Sequence, residues 1–180
     1  GVEADNLEFD SNTRIIRASG NVVLLYQGYM VKGNTLIFDR RTDEVRMAGA
    51  VQIIDPAGNV LDTTDLEVTG GMKQAFLNAL TITATDGSRI TADSADYDAV
   101  LETVLLNAGY APCGECIDRQ GRRIGWSMRA ARVIQNSEDG SIMLEQPSLS
   151  ILGVPVAWAP FLWLHSTDAS VLANLRTPTY

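Results

Sequence analysis

Few residues in this chain have types and spacings that could do chemistry. Cys113 and Cys116 are its two cysteines, spaced C-x-x-C. That spacing suits half a zinc site, a redox pair or a structural disulfide. The other half of a zinc site needs more Cys or His, and the chain has one histidine, His165. Zinc would therefore require a second chain. A thioredoxin-like pair opens a helix after a strand in a βαβ context, and none surrounds this one. What remains is a disulfide within the loop, or bonds to cysteines outside this chain. Either points to an oxidising compartment. His165 has no Ser or Cys partner in a recognisable local motif, so a nucleophilic triad is unsupported. Gly70-Gly71-Met72-Lys73 lacks the spacing and the following hydroxyl of a phosphate loop. Asp10, Asp39 and Asp98 recur at regular intervals, but each stands alone. Calcium wants several converging oxygens, whereas a lone Asp after a strand bonds its own turn. No enzyme, cofactor or metal site is expected.

Composition narrows the classes further. The 180 residues are 46% hydrophobic and 20% charged, which fits one domain with a real core. Acidic side chains outnumber basic ones 22 to 14, a formal charge of -8. A module that neutralises phosphates needs a basic face, so the charge balance argues against nucleic acid as a partner. The longest apolar run, Ile151 to Leu164, contains Pro155 and Pro160 and is shorter than the ~20 residues of a spanning helix.

The elements that must position anything else are repeated. Leu7, Phe9 and Asp10 return 29 positions on as Leu36, Phe38 and Asp39, then as Leu66, Val68 and Thr69, then as Ala95, Tyr97 and Asp98. A small-then-polar pair precedes each: Ala4-Asp5, Gly33-Asn34, Thr63-Thr64 and Ala92-Asp93. Ile16-x-Ala18-x-Gly20-x-Val22-x-Leu24 returns at the same shift as Val45-x-Met47-x-Gly49-x-Val51-x-Ile53. A period of this size marks a stacked array.

Inside each unit the apolar period is two, the signature of half-buried strands. Asp, Asn, Gly and Pro clusters separate them. The stretch from Gly71 to Leu80 is a short helix candidate, but Phe76, Asn78 and Leu80 also fit alternation. Gly20 and Gly49 are expected to mark bends or bulges between consecutive strands. A strand pair cannot bury its own apolar face, so the units must stack. The expected fold is all-β, an antiparallel roll or sandwich with open ends and a continuous apolar lining. Residues 1–152 form it, with a Cys loop inserted at 111–123. Residues 153–180, opening Gly-Val-Pro-Val-Ala-Trp-Ala-Pro-Phe, are expected to be a connector leading elsewhere.

The Ala-Asp-x-Leu-x-Phe-Asp…Ala-x-Gly-x-Val motif, from Ala4 to Val22 and echoed at Gly33 to Val51, resembles the OstA-type repeat of lipopolysaccharide-transport proteins. Three later stretches are similar to the N-terminal periplasmic OstA-like domain of the LptD (organic solvent tolerance) family. These are Tyr110-Ala-Pro-Cys-Gly-Glu-Cys116, Gly125-Trp-Ser-Met-Arg-Ala130 and Gly153-Val-Pro-Val-Ala-Trp-Ala-Pro-Phe161. The resemblance implies an antiparallel β-jellyroll, LptA-like, at the periplasmic face of the outer membrane. Its apolar groove would take lipopolysaccharide acyl chains from an LptA-like periplasmic bridge and pass them to a C-terminal barrel. That barrel, which would work with an LptE-like lipoprotein, is not in this sequence. The resemblance further implies that Cys113 and Cys116 pair with barrel cysteines. The alternatives are a structural module without ligand and a standalone LptA-like bridge. The segment Gly153 to Phe161, as a lead into a barrel, argues against the bridge.

Strand parity selects the expected groove lining: Phe9, Ile16, Val22, Leu24, Leu36, Phe38, Val45, Met47, Val51, Ile53, Val68 and Tyr97. The first strand, near Ala4 to Asp10, is expected to be a free edge open to strand addition by the bridge.

Overall fold

The structure is a computed structural model and describes residues 1–70, 73–112, 119–121 and 125–164. Cys113, Cys116 and His165 lie outside the described residues. The described residues form one antiparallel sheet of fourteen strands, with no helix among them. In chain order the strands are β1 (Val2–Glu3), β2 (Asn6–Asp10), β3 (Ile15–Tyr26), β4 (Tyr29–Asp39), β5 (Glu44–Ile54), β6 (Val60–Thr69), β7 (Gln74–Thr83), β8 (Arg89–Asp98), β9 (Glu102–Ala111), β10 (Trp126–Asn136), β11 (Ile142–Glu145), β12 (Ser148–Ile151), β13 (Val154–Trp158) and β14 (Phe161–Leu164). Each long strand from β3 to β10 pairs with its sequence neighbours. The all-β jellyroll expectation therefore holds.

Every long strand is bent near its middle, and the bend makes two half-sheets out of one ladder. Gly20 and Asn21 carry φ of 76° and 48°, Gly49 and Ala50 84° and 51°, and Ala79 and Asn107 49° each. These left-handed residues sit in β3, β5, β7 and β9, one repeat apart. Gly20 and Gly49 thus lie inside continuous strands, not between consecutive ones as expected. The chain on either side keeps the same partner, and the ladder only shifts register at Ser19/Val22 and Ala48/Val51. A side chain at Gly49 would place its Cβ 2.6 to 2.9 Å from the Asn34 side-chain atoms, so the corner requires glycine.

The bend also resets parity. In β7, Ala75 and Leu77 pair with inward Val68 and Leu66, but Leu80 and Ile82 resume the inward face beyond the corner. Phe76 faces out at 39% exposure, which corrects the reading of Phe76, Asn78 and Leu80 as one alternation. It also excludes the helix candidate, since Gln74–Thr83 is strand.

The corner is tied by the small-then-polar pairs found in the sequence. Asn21 Nδ2 donates to Asp5 Oδ2 at 2.9 Å, and Asn107 Nδ2 to Asp93 Oδ2 at 2.6 Å. In the third unit Asn78 Nδ2 donates to Asp65 Oδ1 at 3.0 Å, while the Thr63 hydroxyl donates to the Asn78 carbonyl at 2.5 Å. Thr63 is buried, and this bond removes the cost of an unsatisfied hydroxyl there. Its polar side chain is therefore compatible with the apolar row it interrupts.

Residues 154–164 form two further strands of the sheet. Leu152 and Gly153 have φ of 52° and 81°, the pair of positive values that a two-residue hairpin turn requires. They return the chain so that Val154 pairs with Ile151, and β14 then pairs with β11. Pro155 sits within β13, which pairs with β12 alone among the described strands, and an edge strand tolerates proline because one side of it needs no donor. The sheet ends in two edges, β1 with β2 at the start and β13 with β14 at the finish.

Candidate functional site

Residues directly opposite on an antiparallel ladder share a face, so the register lists which side chains converge. One inward row runs Ile16, Phe38, Val45, Val68, Ala75 and Tyr97 across successive strands of the first half-sheet. Its counterpart in the second half-sheet runs Leu24, Val31, Ile53 and Leu61. The rows face one another across a trough of about 1080 Å³. Packed protein interiors leave few voids larger than a water molecule, so this volume is a site rather than a packing defect. It is enough for about 36 groups of water size at ~30 Å³ each.

The expected lining residues separate into three groups. Ile16, Leu24, Phe38, Val45, Ile53, Val68 and Tyr97 stand on the wall of the trough. Val22, Leu36, Met47 and Val51 are at most 2% exposed and flank the corner, where the converging half-sheets seal them into a packed floor. Those four are core, not open lining. Phe9 pairs with Ile16 and so faces inward, yet β2 is the edge and leaves it 55% exposed beside Ser11, Arg14 and Arg40. It lies off the trough wall.

Leu61, Leu66, Leu77, Leu80, Ile82 and Leu105 also wall the trough and were missed. Alternation on each side of Thr63-Thr64 would have found Leu61 and Leu66, had that pair been read as a corner that resets parity.

Charge stays outside. Arg46 reaches Glu67 at 3.4 Å and Arg132 reaches Glu145 at 2.6 Å, both on the outer face. Among the described residues, Arg40 and Asp43 are the side chains bearing full charge that border the trough. The recurring aspartates cap turns, as expected. Asp10 Oδ1 accepts from the Asn12 and Thr13 amides, Asp39 Oδ1 from the Arg41 amide, and Asp98 Oδ1 from those of Val100 and Leu101. These amide bonds hold the three carboxyls below the ordinary Asp range, and the Asn59 side chain does the same for Asp55. Among the described residues no group of three or more His, Cys, Asp or Glu could hold a metal. No helix there is long and apolar enough to cross a membrane.

The free edge lies where it was expected. Among the described residues β2 pairs with β3 alone, from Asn6↔Ser19 to Asp10↔Ile15, so its other side carries backbone groups unpaired by them.

Comparison with known proteins adds little. No protein-family profile matches the chain, and no curated protein matches it. One solved structure with some likeness is LptH of Pseudomonas aeruginosa, the LptA-homologous periplasmic component of its lipopolysaccharide transport device. It is 13% identical over 84% of this chain and 92% of that one, with a TM-score of 0.32. A likeness that distant leaves the function of this chain to its own geometry.

Proposed function

We propose that this chain binds the acyl chains of lipopolysaccharide in the trough and passes them from an LptA-like periplasmic bridge toward an outer-membrane barrel. One observation carries the reading: about 1080 Å³ between two apolar half-sheets is left unfilled by the protein's own side chains. A module without ligand would have closed that space, because burial of apolar surface favours collapse. Each buried methylene gains ~0.8 kcal/mol, so a multiply acylated lipid needs such a shielded route through water. Near-equivalent repeats give a series of similar sites, and no one site holds the lipid so tightly that it stalls. Sugars and phosphates stay in solvent, which reconciles lipid binding with the acidic surface.

A second reading is favoured by β13 and β14. Among the described residues they continue the sheet to a second edge, so the segment no longer argues against a standalone bridge that stacks with other jellyrolls. Crosslinking from Phe161 separates the two: the first reading yields a barrel adduct, the second an adduct to another jellyroll.

The binding itself is tested by displacement of a fluorescent acyl probe by lipopolysaccharide. Phe38→Asp and Val68→Asp put a charge on the wall and are expected to abolish displacement, whereas Ile37→Asp, on the outer face, leaves it intact. Equal displacement by all three proteins would sink the reading.

A further inference from the structure

The apolar interior extends beyond the trough. Beyond the trough, between β8 and β11, lies a second cavity of about 240 Å³. Its wall includes Ile90, Tyr110, Trp126, Met128, Val133 and Leu144. The Tyr110 and Trp126 rings pack at 5.6 Å between centroids, tilted by 49°. Among the described residues Leu105 alone lines both spaces. It stands in the inward row between Ala95 on β8 and Val133 on β10. The wall therefore steps from a methyl group to an isobutyl group where the large space ends. The mouth changes at the same place, as Tyr97 is followed by Thr103 and then Gln135.

We propose that Leu105 divides the interior into two acyl-binding compartments, and that the smaller one is a separate site for a single hydrocarbon chain. This rests on the acyl-binding function proposed above and adds to it a second site and a barrier. At ~30 Å³ per methylene-sized group, the small compartment takes about eight groups, a good part of one medium acyl chain. The trough takes about four times as many, enough for several chains. A lipid moving along the array must then pass its chains one at a time over Leu105. The lining on the far side is aromatic and thioether-bearing, and such a surface adapts to a chain end.

Trp126 is a built-in reporter, because bromine on a bound chain quenches an adjacent indole. Two proteins are compared, both carrying Trp158→Phe and Trp163→Phe to remove the exposed indoles. One keeps Trp126 and reports the small compartment. The other carries Trp126→Phe and Phe38→Trp and reports the trough. Each is titrated with 12-bromododecanoic acid, with dodecanoic acid as the unbrominated control, and each fold is checked by circular dichroism.

The expected result is two different midpoints. Leu105→Phe should weaken quenching of Trp126 by roughly tenfold, ~1.4 kcal/mol, and shift the trough midpoint by less, because Leu105 is one of many side chains on that larger wall. Leu105→Ala should bring the two midpoints together. If Leu105→Phe does not fold, Leu105→Ala and Leu105→Met decide. A single shared midpoint that ignores Leu105 would overturn the division while leaving acyl binding intact. Quenching of neither reporter would remove the acyl-binding reading itself.

Discussion

The corner at Gly49 determines whether the two half-sheets face one another, and one substitution tests it. Alanine there meets two obstacles. Its φ of 84° costs an L-residue about 1–2 kcal/mol. Its Cβ would also lie 2.6 Å from Asn34 Nδ2, 2.7 Å from Asn34 Cβ and 2.9 Å from Asn34 Cγ. Overpacking of that kind costs about 1–3 kcal/mol, so Gly49→Ala should lose about 2–5 kcal/mol in all. Against a typical domain stability of about 5–15 kcal/mol that is a large fraction. The closest immovable atom is Asn34 Cβ, which makes the prediction specific. Asn34→Ala keeps that atom and should recover little in the double variant. Asn34→Gly removes it and should restore the steric part, about 1–3 kcal/mol, despite its own entropic cost of about 0.5–1 kcal/mol. The assay is urea unfolding followed by circular dichroism on the four proteins. Equal losses with Asn34→Ala and Asn34→Gly, or a neutral Gly49→Ala, would refute the corner geometry.

Other outcomes follow from the same structure. Leu36→Ala, on the packed floor, should cost about 2–5 kcal/mol, while Ile37→Ala on the outer face should stay within about 0.5 kcal/mol; urea midpoints read both. Asp10, Asp39, Asp55 and Asp98 have lowered folded pKa values, so the stability they add is complete above the unfolded value near 3.9. It is lost as pH falls through the folded values. Melting temperature should therefore decline below about pH 4, and changing all four to Asn should flatten the decline. At the free edge, the amides of Leu7 and Glu8 point to opposite sides of β2. Of Leu7→Pro and Glu8→Pro, one removes a donor facing the open side and should weaken pull-down of the bridge protein. Undiminished capture by both folded variants would count against edge docking.

The array was legible because a period of 29 governs backbone as well as side chains. The left-handed residues of β3 and β5 recur at that spacing, and the Ala-Asp and Gly-Asn pairs marked their corners in advance. Parity across those corners was not legible. β3 and β5 spend three residues turning and keep parity, from Ala18 to Val22 and Met47 to Val51. β7 and β8 spend two and reverse it, from Leu77 to Leu80 and Ala92 to Ala95. A strict alternation rule therefore put Phe38, Val45 and Ile53 on the face that walls the trough, and left out Leu80 and Ile82, which stand there too. Floor and wall could not be told apart either, since Leu36 and Phe38 have equivalent patterns. Only distance from the corner seals the first and opens the second. Pro155 is compatible with β13 because proline's cost depends on whether a strand has one neighbour or two, which no local window reveals.

Photocrosslinking in cells, with a probe at Phe38 compared with one at Ile37, tests the central claim most directly. Phe38 stands on the trough wall, and Ile37 faces out at 44% exposure beside Arg46 and Phe76. A lipopolysaccharide adduct at Phe38 and none at Ile37 is the predicted result. Adducts at neither position, in protein that supports growth, would contradict the account and leave a structural module in its place.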